Sequence, residues 1–430
     1  MTSVHYDLGD LLARPAADAK REAAMAAQSP TITRVVLENY KSIAACDVTL
    51  GPLTFLVGRN GSGKSNFLDA LRFLHECTTD TLDNALRRRG GIDEMIYRKA
   101  ATPGNLALKL ELTLPYGQSA TYSLRLGATS FGGYQIVEES CEVVTGPATD
   151  MLPNYYTIAH GKMETNQMLL AGAPLQRDRL ALTTASSFGP FRAVYDFFAG
   201  MGFYHIDPYA MRALQAPSAA TLLADDGSTA TGVLRQLAQR DDARKRRIEE
   251  YLAAVLPDLR DLQVKTLEGK DLLQFRMRGA VGERTRTFAA SSISDGTLRA
   301  LGVLLSLFQL YGDTDHGPTP VAIEEPELGL HPFATAVLRD ALQEASASTQ
   351  VIVTSHSPDL LNDADISADA IRVVSLAHGA TRIGPLDEAS RRILDEELYT
   401  VGELTRRLEL QPASASSAGR SSSHASLTST

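Results

Sequence analysis

"FLVGRNGSGKSNFLDALRFL" runs from Phe55 to Leu74, and the eight residues at its centre decide the fold. Gly58-Arg59-Asn60-Gly61-Ser62-Gly63-Lys64-Ser65 fits the pattern G-x-x-x-x-G-K-[ST]. In such a loop the glycines let backbone N–H groups turn inward and cradle phosphates at a helix N-terminus. Lys64 is placed to reach the β- and γ-phosphates of a nucleoside triphosphate, and the Ser65 hydroxyl to ligate Mg²⁺. Asn66 closes the phosphate-binding stretch. The flanks agree with this reading. "GPLTFLVG" (51–58) is a short apolar strand, and Phe67, Leu68, Leu71 and Leu74 come after the loop at helical spacing. A P-loop alone licenses a phosphate cradle, so the rest of the chain must say which machine is built on it.

Three later segments carry chemistry. "VAIEEPE" (321–327) is an apolar strand ending in acids, and charge at the end of a buried strand needs a reason. Glu324 is the candidate to hold Mg²⁺ with Ser65, and Glu325 the candidate to polarise an attacking water. "TQVIVTSHSP" (349–358) is a second apolar strand, which presents His356 to hydrogen-bond toward a γ-phosphate. In "SSISDGTLRALG" (291–302) a Ser-Asp-Gly-Thr turn opens an apolar helix whose free N–H groups can bind an anion. Ser294 or Asp295 also fits an ordinary N-cap.

Around these motifs the chain alternates in character. Segments 105–115, 120–129 and 134–144 have period two and are bounded by Gly, Pro or Ser, which predicts an antiparallel meander. A helix is expected over 232–255 and a strand over 272–279. From residue 291 helix and strand alternate, implying an α/β unit with a parallel sheet. The expected organisation is a flexible extension over 1–30, an N-lobe with P-loop and meander over 31–146, and a mixed helical insertion over 147–285. A C-lobe over 286–411 and a Ser/Ala-rich disordered tail over 412–430, starting near Gln411, complete it.

Composition is that of an ordinary soluble chain, 44% hydrophobic and 22% charged, with no apolar run of bilayer-spanning length and no secretory pattern at the start. Cys46, Cys77 and Cys141 are scattered and outside metal spacing, so a reduced, cytoplasmic protein with buried thiols is expected. The net charge of −9 argues against a surface coated in basic residues for nucleic acid, although a local basic groove stays open. Two basic runs are candidates for phosphate or DNA contact, Arg87–Arg89 before Gly90-Gly91 and Arg244–Arg247 in "ARKRRIEEYLAAVL". Each also reads as a solvated face.

Taken in order, "NYKSI", "GRNGSGKSN", "SDGTLR", "EEPELGLHP" and "TSHSP" resemble ABC-type ATPases of the SMC/RecF class, in particular RecF-like bacterial AAA family ATPases. The resemblance covers about residues 31 to 411. It implies a P-loop NTPase fold: an ABC-type head with a mixed sheet, an antiparallel β meander and a helical insertion. It further implies that Ser294, Asp295 and Gly296 form the signature turn, which binds the γ-phosphate of ATP held by a second copy. Asp295 stands where the first signature glycine is usual, and Glu324 where many relatives have Asp. Leu328 to Pro332, with His331, match the loop that crosses the dimer interface. No glutamine lies between Phe73 and Thr113, so the Q-loop is unassigned.

The stretch between Ser65 and Ser294 holds strand patterns and no sustained heptads, which excludes a long coiled-coil arm. The segment after His356 is too short for an OLD-type nuclease domain, and the signature and insertion depart from a transporter subunit with a membrane partner. The expectation is an ATPase using Mg²⁺ that dimerises head to tail, with Glu325, His356 and Lys64 carrying catalysis. Its partners are ATP and a second copy, then either DNA in repair or a separately encoded effector, as in phage defence.

Overall fold

The computed structural model describes residues 29–97, 104–129, 132–145, 153–168, 170–172, 174–217, 222–279, 285–310, 318–407 and 410–413. Most of the expected N-terminal extension and C-terminal tail lies outside these residues.

Three sheets organise the chain. The first is antiparallel, in the order β2-β1-β4-β5-β6-β7-β8. Its strands are β1 (Thr31–Tyr40), β2 (Ile43–Thr49), β4 (Leu106–Leu114), β5 (Gln118–Ala128), β6 (Tyr134–Val144), β7 (Asn154–Ala159) and β8 (Lys162–Thr165). Strands β4 to β6 are the expected meander. The second sheet runs β16-β15-β3-β14-β13-β9, with β3 (Leu53–Val57), β9 (Gly202–Tyr204), β13 (Val321–Glu324), β14 (Val351–Ser355), β15 (Ile371–Ala377) and β16 (Ala380–Gly384). Its pairs are parallel except β15 with β16. The third is a small antiparallel sheet of β10 (Leu259–Leu267), β11 (Lys270–Met277) and β12 (Arg286–Ala289).

The second sheet is buried on both faces, and its alternation shows what lies on each. Leu56, Ala322 and Ile352 join the core formed by the first sheet and the helix Lys64–Thr79. Phe55 and Val57, Val321 and Ile323, and Val351 and Val353 join the other core, with the helix Asp295–Phe308. Strands covered on both sides read as near-continuous apolar runs, which is why β3, β13 and β14 were legible. Each buried side chain of this kind contributes about 1.5–3 kcal/mol. The buried Gln350 ties the first two sheets: its side chain bonds both N and O of Ile32 (each 2.8 Å) and the carbonyl of Gly51 (3.0 Å).

Two expectations change. The single helix over 232–255 is two helices, Ala230–Arg240 and Asp242–Val255. Asp241, at φ −149°, ends the first and caps the second by accepting a hydrogen bond from Arg244 N at 3.0 Å. A short acid competes with the helical backbone in this way. The tail, expected to loosen from Gln411, is held as far as residue 413. Gln411 O accepts from Asp387 N (3.2 Å), and Ala413 N donates to Pro385 O (2.9 Å). Strands β7 to β12 show that residues 154–289 contribute to all three sheets.

Candidate nucleotide site

The chain leaves β3 at Val57, turns through Gly58–Gly63 and enters the helix Lys64–Thr79. Gly63 caps that helix at φ 104°, a conformation that side chains resist. A Cβ on Gly58 would lie 2.0 Å from Val374 O, so the loop backbone can pass only as glycine. Behind the loop runs a chain of hydrogen bonds. Asn66 Nδ2 donates to Ser42 Oγ (2.6 Å), Ser42 Oγ to Thr381 Oγ1 (2.7 Å), and Thr381 Oγ1 to Ser62 O (2.8 Å). Only this direction satisfies every hydroxyl. Asn66 therefore faces the β1–β2 turn, away from the open side of the loop. Ser42 and Thr381 brace the loop, and no sequence signal marked them for that task.

Lys64 Nζ donates to Gly58 O (2.7 Å) and Arg59 O (3.2 Å). Burial lowers its pKa, and the carboxylates of Glu325, Glu327 and Glu324 act against that shift. Ser65 is exposed on the first helical turn, and Glu324 is half-buried at the end of β13. Glu325 takes φ 44°, rare for a residue with a side chain, while its N–H donates to Thr354 O at 3.0 Å. Such a conformation costs about 1–3 kcal/mol and is kept where the surroundings impose it. The turn carries Glu325 Oε1 to 3.1 Å from His356 Nδ1. With a carboxylate accepting there, Nδ1 carries a proton.

Glu327 was not singled out by its position in the sequence. It is buried, and Oε1 accepts from Ser355 Oγ at 2.6 Å. Ser355 Oγ in turn accepts from Ser357 N at 3.0 Å, so a carboxyl and a hydroxyl fix the backbone on either side of His356. Glu327 Oε2 is buried without a partner. Burial raises the pKa of this carboxyl, and the Ser355 bond partly opposes the rise.

A cleft of about 880 Å³ opens over the loop. Gly58–Ser62 and His356 line one side, and Val373–Ala377 with Thr405 and Arg406 another. Ser294–Gly296 is not part of its lining. Ser294 caps its helix, accepting from Thr297 N at 3.2 Å, and Asp295 pairs with Arg212. A Cβ on Gly296 would meet Gly329 O at 2.9 Å, so the turn Ser294–Gly296 lies on the loop Leu328–Pro332 of its own chain. His331 caps the next helix, accepting from Phe333 N at 3.3 Å, and Leu328 and Phe333 are exposed beside it.

A family model described as "AAA domain, putative AbiEii toxin, Type IV TA system" matches residues 53–149 and 213–362, more than half of the chain. The chain belongs to this AAA domain family. Within it, short stretches are similar to RecF proteins and the fold is that of SMC heads. The DNA replication and repair protein RecF of Porphyromonas gingivalis is 45% identical over 62 residues, 14% of this chain and 17% of that protein. RecF of a Nocardioides species is 30% identical over 90 residues, 20% of this chain and 21% of its own length. The chain thus spans about a fifth or less of these relatives. A solved SMC head bound to the C-winged helix domain of ScpA superposes with a TM-score of 0.52 at 16% identity. It covers 84% of this chain and 100% of that one, which shows the fold.

In this AAA family chain the residues of the two basic runs are paired with acids. Arg89 is buried against Asp69 and Glu76 with its guanidinium 5.2 Å from the Phe73 ring centroid. Arg87 pairs with Asp83, and Arg88 with Asp80 (2.7 Å). Arg244, Lys245, Arg246 and Arg247 pair with Asp241, with Glu249 and Asp261, with Asp242, and with Glu250 and Glu344. Both runs are thus engaged with acids of their own chain, as the solvated-face reading expects, while Arg87, Arg88 and Arg246 stay more than half exposed. The three cysteines are buried free thiols. No helix among the described residues is long and apolar enough to cross a membrane.

The loop has the sequence of a triphosphate cradle and lines the open cleft, and its lysine stands beside three acids. Among the described residues there is no cluster of three or more His, Cys, Asp or Glu able to hold a metal. The Ser65 hydroxyl and the Glu324 carboxylate are hard oxygen donors that suit Mg²⁺, which takes one or two protein oxygens and completes its shell with water and phosphate. Ser65 and Glu324 are the residues that would hold it.

Proposed function

We propose that the chain binds Mg·ATP on Gly58–Ser65, hydrolyses it, and closes head to tail on a second copy of itself. The observation that carries this reading is the Glu325–His356 bond beside the phosphate loop. Glu325 accepts a proton from the attacking water, His356 Nε2 faces the γ-phosphate region, and Lys64 leaves the loop carbonyls to meet the β- and γ-oxygens. Bound Mg²⁺ neutralises charge on those oxygens. Ser294–Gly296 lies outside this cleft, which supports its contribution to the site of the second copy.

Glu325→Gln is the test. It should keep ATP binding, lower turnover by about 10²–10⁴-fold, and give a dimer on sizing with ATP. A variant that stays monomeric with ATP bound would refute head-to-tail closure. Lys64→Ala should remove ATP binding, and retained binding would remove the loop assignment.

Two outputs fit such closure inside the cytoplasm. Similarity to RecF supports an action on DNA in repair. The net charge of −9 and the pairing of both basic runs support the second, an ATP-gated subunit that controls a separately encoded effector. A DNA mobility shift that needs ATP and weakens with salt selects the first. Co-purification with a protein encoded beside this one, without a DNA shift, selects the second.

A further inference from the structure

Asp295 poses a physical problem. If the Ser294 turn receives a γ-phosphate, a carboxylate beside it repels that anion, and so does the carbonyl of Ile293. Both acceptors are covered by one side chain. The Arg212 guanidinium pairs with Asp295 and donates to Ile293 O at 2.7 Å. The arginine side chain is only 22% exposed, and its Nε is buried without a partner. Its guanidinium lies 5.7 Å from the centroid of the exposed Tyr209 ring.

Arg212 is delivered from far along the chain. It ends the short helix Pro208–Arg212, which Asp207 caps by accepting from Tyr209 N at 2.9 Å. That helix is seated on the signature helix at Gly302. A Cβ there would lie 2.5 Å from Ile206 Cγ2 and 3.0 Å from Met211 Sδ. Ile206 and Met211 are both buried, so the residue next in the chain is aimed at the start of the signature helix.

We propose that Arg212 is a positioning residue for the γ-phosphate presented by a second copy of the chain. It cancels the charge of Asp295, occupies the Ile293 carbonyl, and leaves the turn's N–H groups as the surface the phosphate meets. The signature turn of this protein is then a composite of two distant segments, and its missing glycine is compensated by an arginine. The inference rests on the head-to-tail reading.

The experiment measures ATP-dependent dimerisation by analytical ultracentrifugation in the Glu325→Gln background. Adding Arg212→Ala should weaken the dimer by about tenfold or more. Adding Asp295→Asn to that variant should restore most of the loss, because no uncovered charge remains. Asp295→Asn with Arg212 intact should tighten the dimer by about threefold, and this arm does not depend on how Arg212→Ala folds. Arg212→Met, which keeps the aliphatic stem, should match Arg212→Ala. A purely structural arginine predicts a lower melting temperature and no rescue by Asp295→Asn. Absence of rescue, or a dimer undiminished by Arg212→Ala, overturns the inference and leaves head-to-tail closure standing. Failure of the Glu325→Gln parent itself to dimerise overturns the closure and the inference with it.

Discussion

Glu325 Oε1 and His356 Nδ1 stand 3.1 Å apart, at the ends of the paired parallel strands β13 and β14. The register that pairs Glu324 with Thr354 leaves Ser355, the last residue of β14, and His356 just past it beside the turn at Glu325. One strand end therefore supplies the proposed base, Glu325, and its neighbour the histidine that bonds it. His356→Ala should lower kcat by roughly tenfold to a hundredfold, because Glu325 loses its orienting donor and the γ-phosphate region loses Nε2. KM for ATP should move by less than about threefold, since the binding loop is untouched. Steady-state ATP titration separates the two. A rise in KM at unchanged kcat would assign His356 to ground-state binding instead.

Glu327 should make stability depend on pH. Its folded-state pKa is raised above 4.5 by burial. Between the unfolded and folded values the folded chain binds more protons than the unfolded chain, so stability falls as pH rises through that window. Glu327→Gln keeps the acceptor for Ser355 and removes the titration. Denaturant melts at a series of pH values from about 4.5 upward should show a flatter profile for the variant. An unchanged slope would mean that Glu327 titrates normally. Glu327→Ala also removes the clamp on Ser355, and should lower kcat as well as stability.

Glu139 should matter for folding and not for nucleotide. This fully buried carboxylate accepts from Tyr122 OH (3.2 Å), Tyr156 OH (2.9 Å), Ala181 N (2.8 Å) and Leu182 N (2.9 Å). Glu139→Ala leaves four buried donors unmade, a cost of about 3 kcal/mol or more. Urea unfolding measures that loss, and ATP affinity of the folded fraction should hold. A loss under about 1 kcal/mol would show that the pocket relaxes or takes up water.

Legibility tracked sequence distance. The P-loop, the acidic end of β13 and the His356 strand were readable because each motif packs its chemistry and its secondary-structure signal into a few adjacent residues. The meander was readable because β4 alternates throughout, β5 over most of its length and β6 over its second half. Strand β9 has three residues, too few for a period, and joins the sheet only through β13. Arg89 looked like a surface charge because its partners Asp69 and Glu76 lie on the previous helix. Arg247 finds Glu344 across 97 residues. Glu327, Ser42, Thr381 and Arg212 act through tertiary contacts that leave no local pattern. Asp241 was legible in principle, since two consecutive acids inside an apolar-periodic stretch are a capping signal.

The central claim is that each site takes Lys64 from one copy and Ser294 from another, and mixing two inactive variants tests it most directly. Lys64→Ala removes the phosphate contact from its own chain, and Ser294→Arg blocks the turn offered to the partner. In a mixed dimer one site holds both lesions and the other is intact. An equimolar mixture of the two variants should therefore recover ATPase activity, up to about a quarter of the wild-type rate from random pairing. A mixture as inactive as its components, with both variants folded, would contradict the composite site.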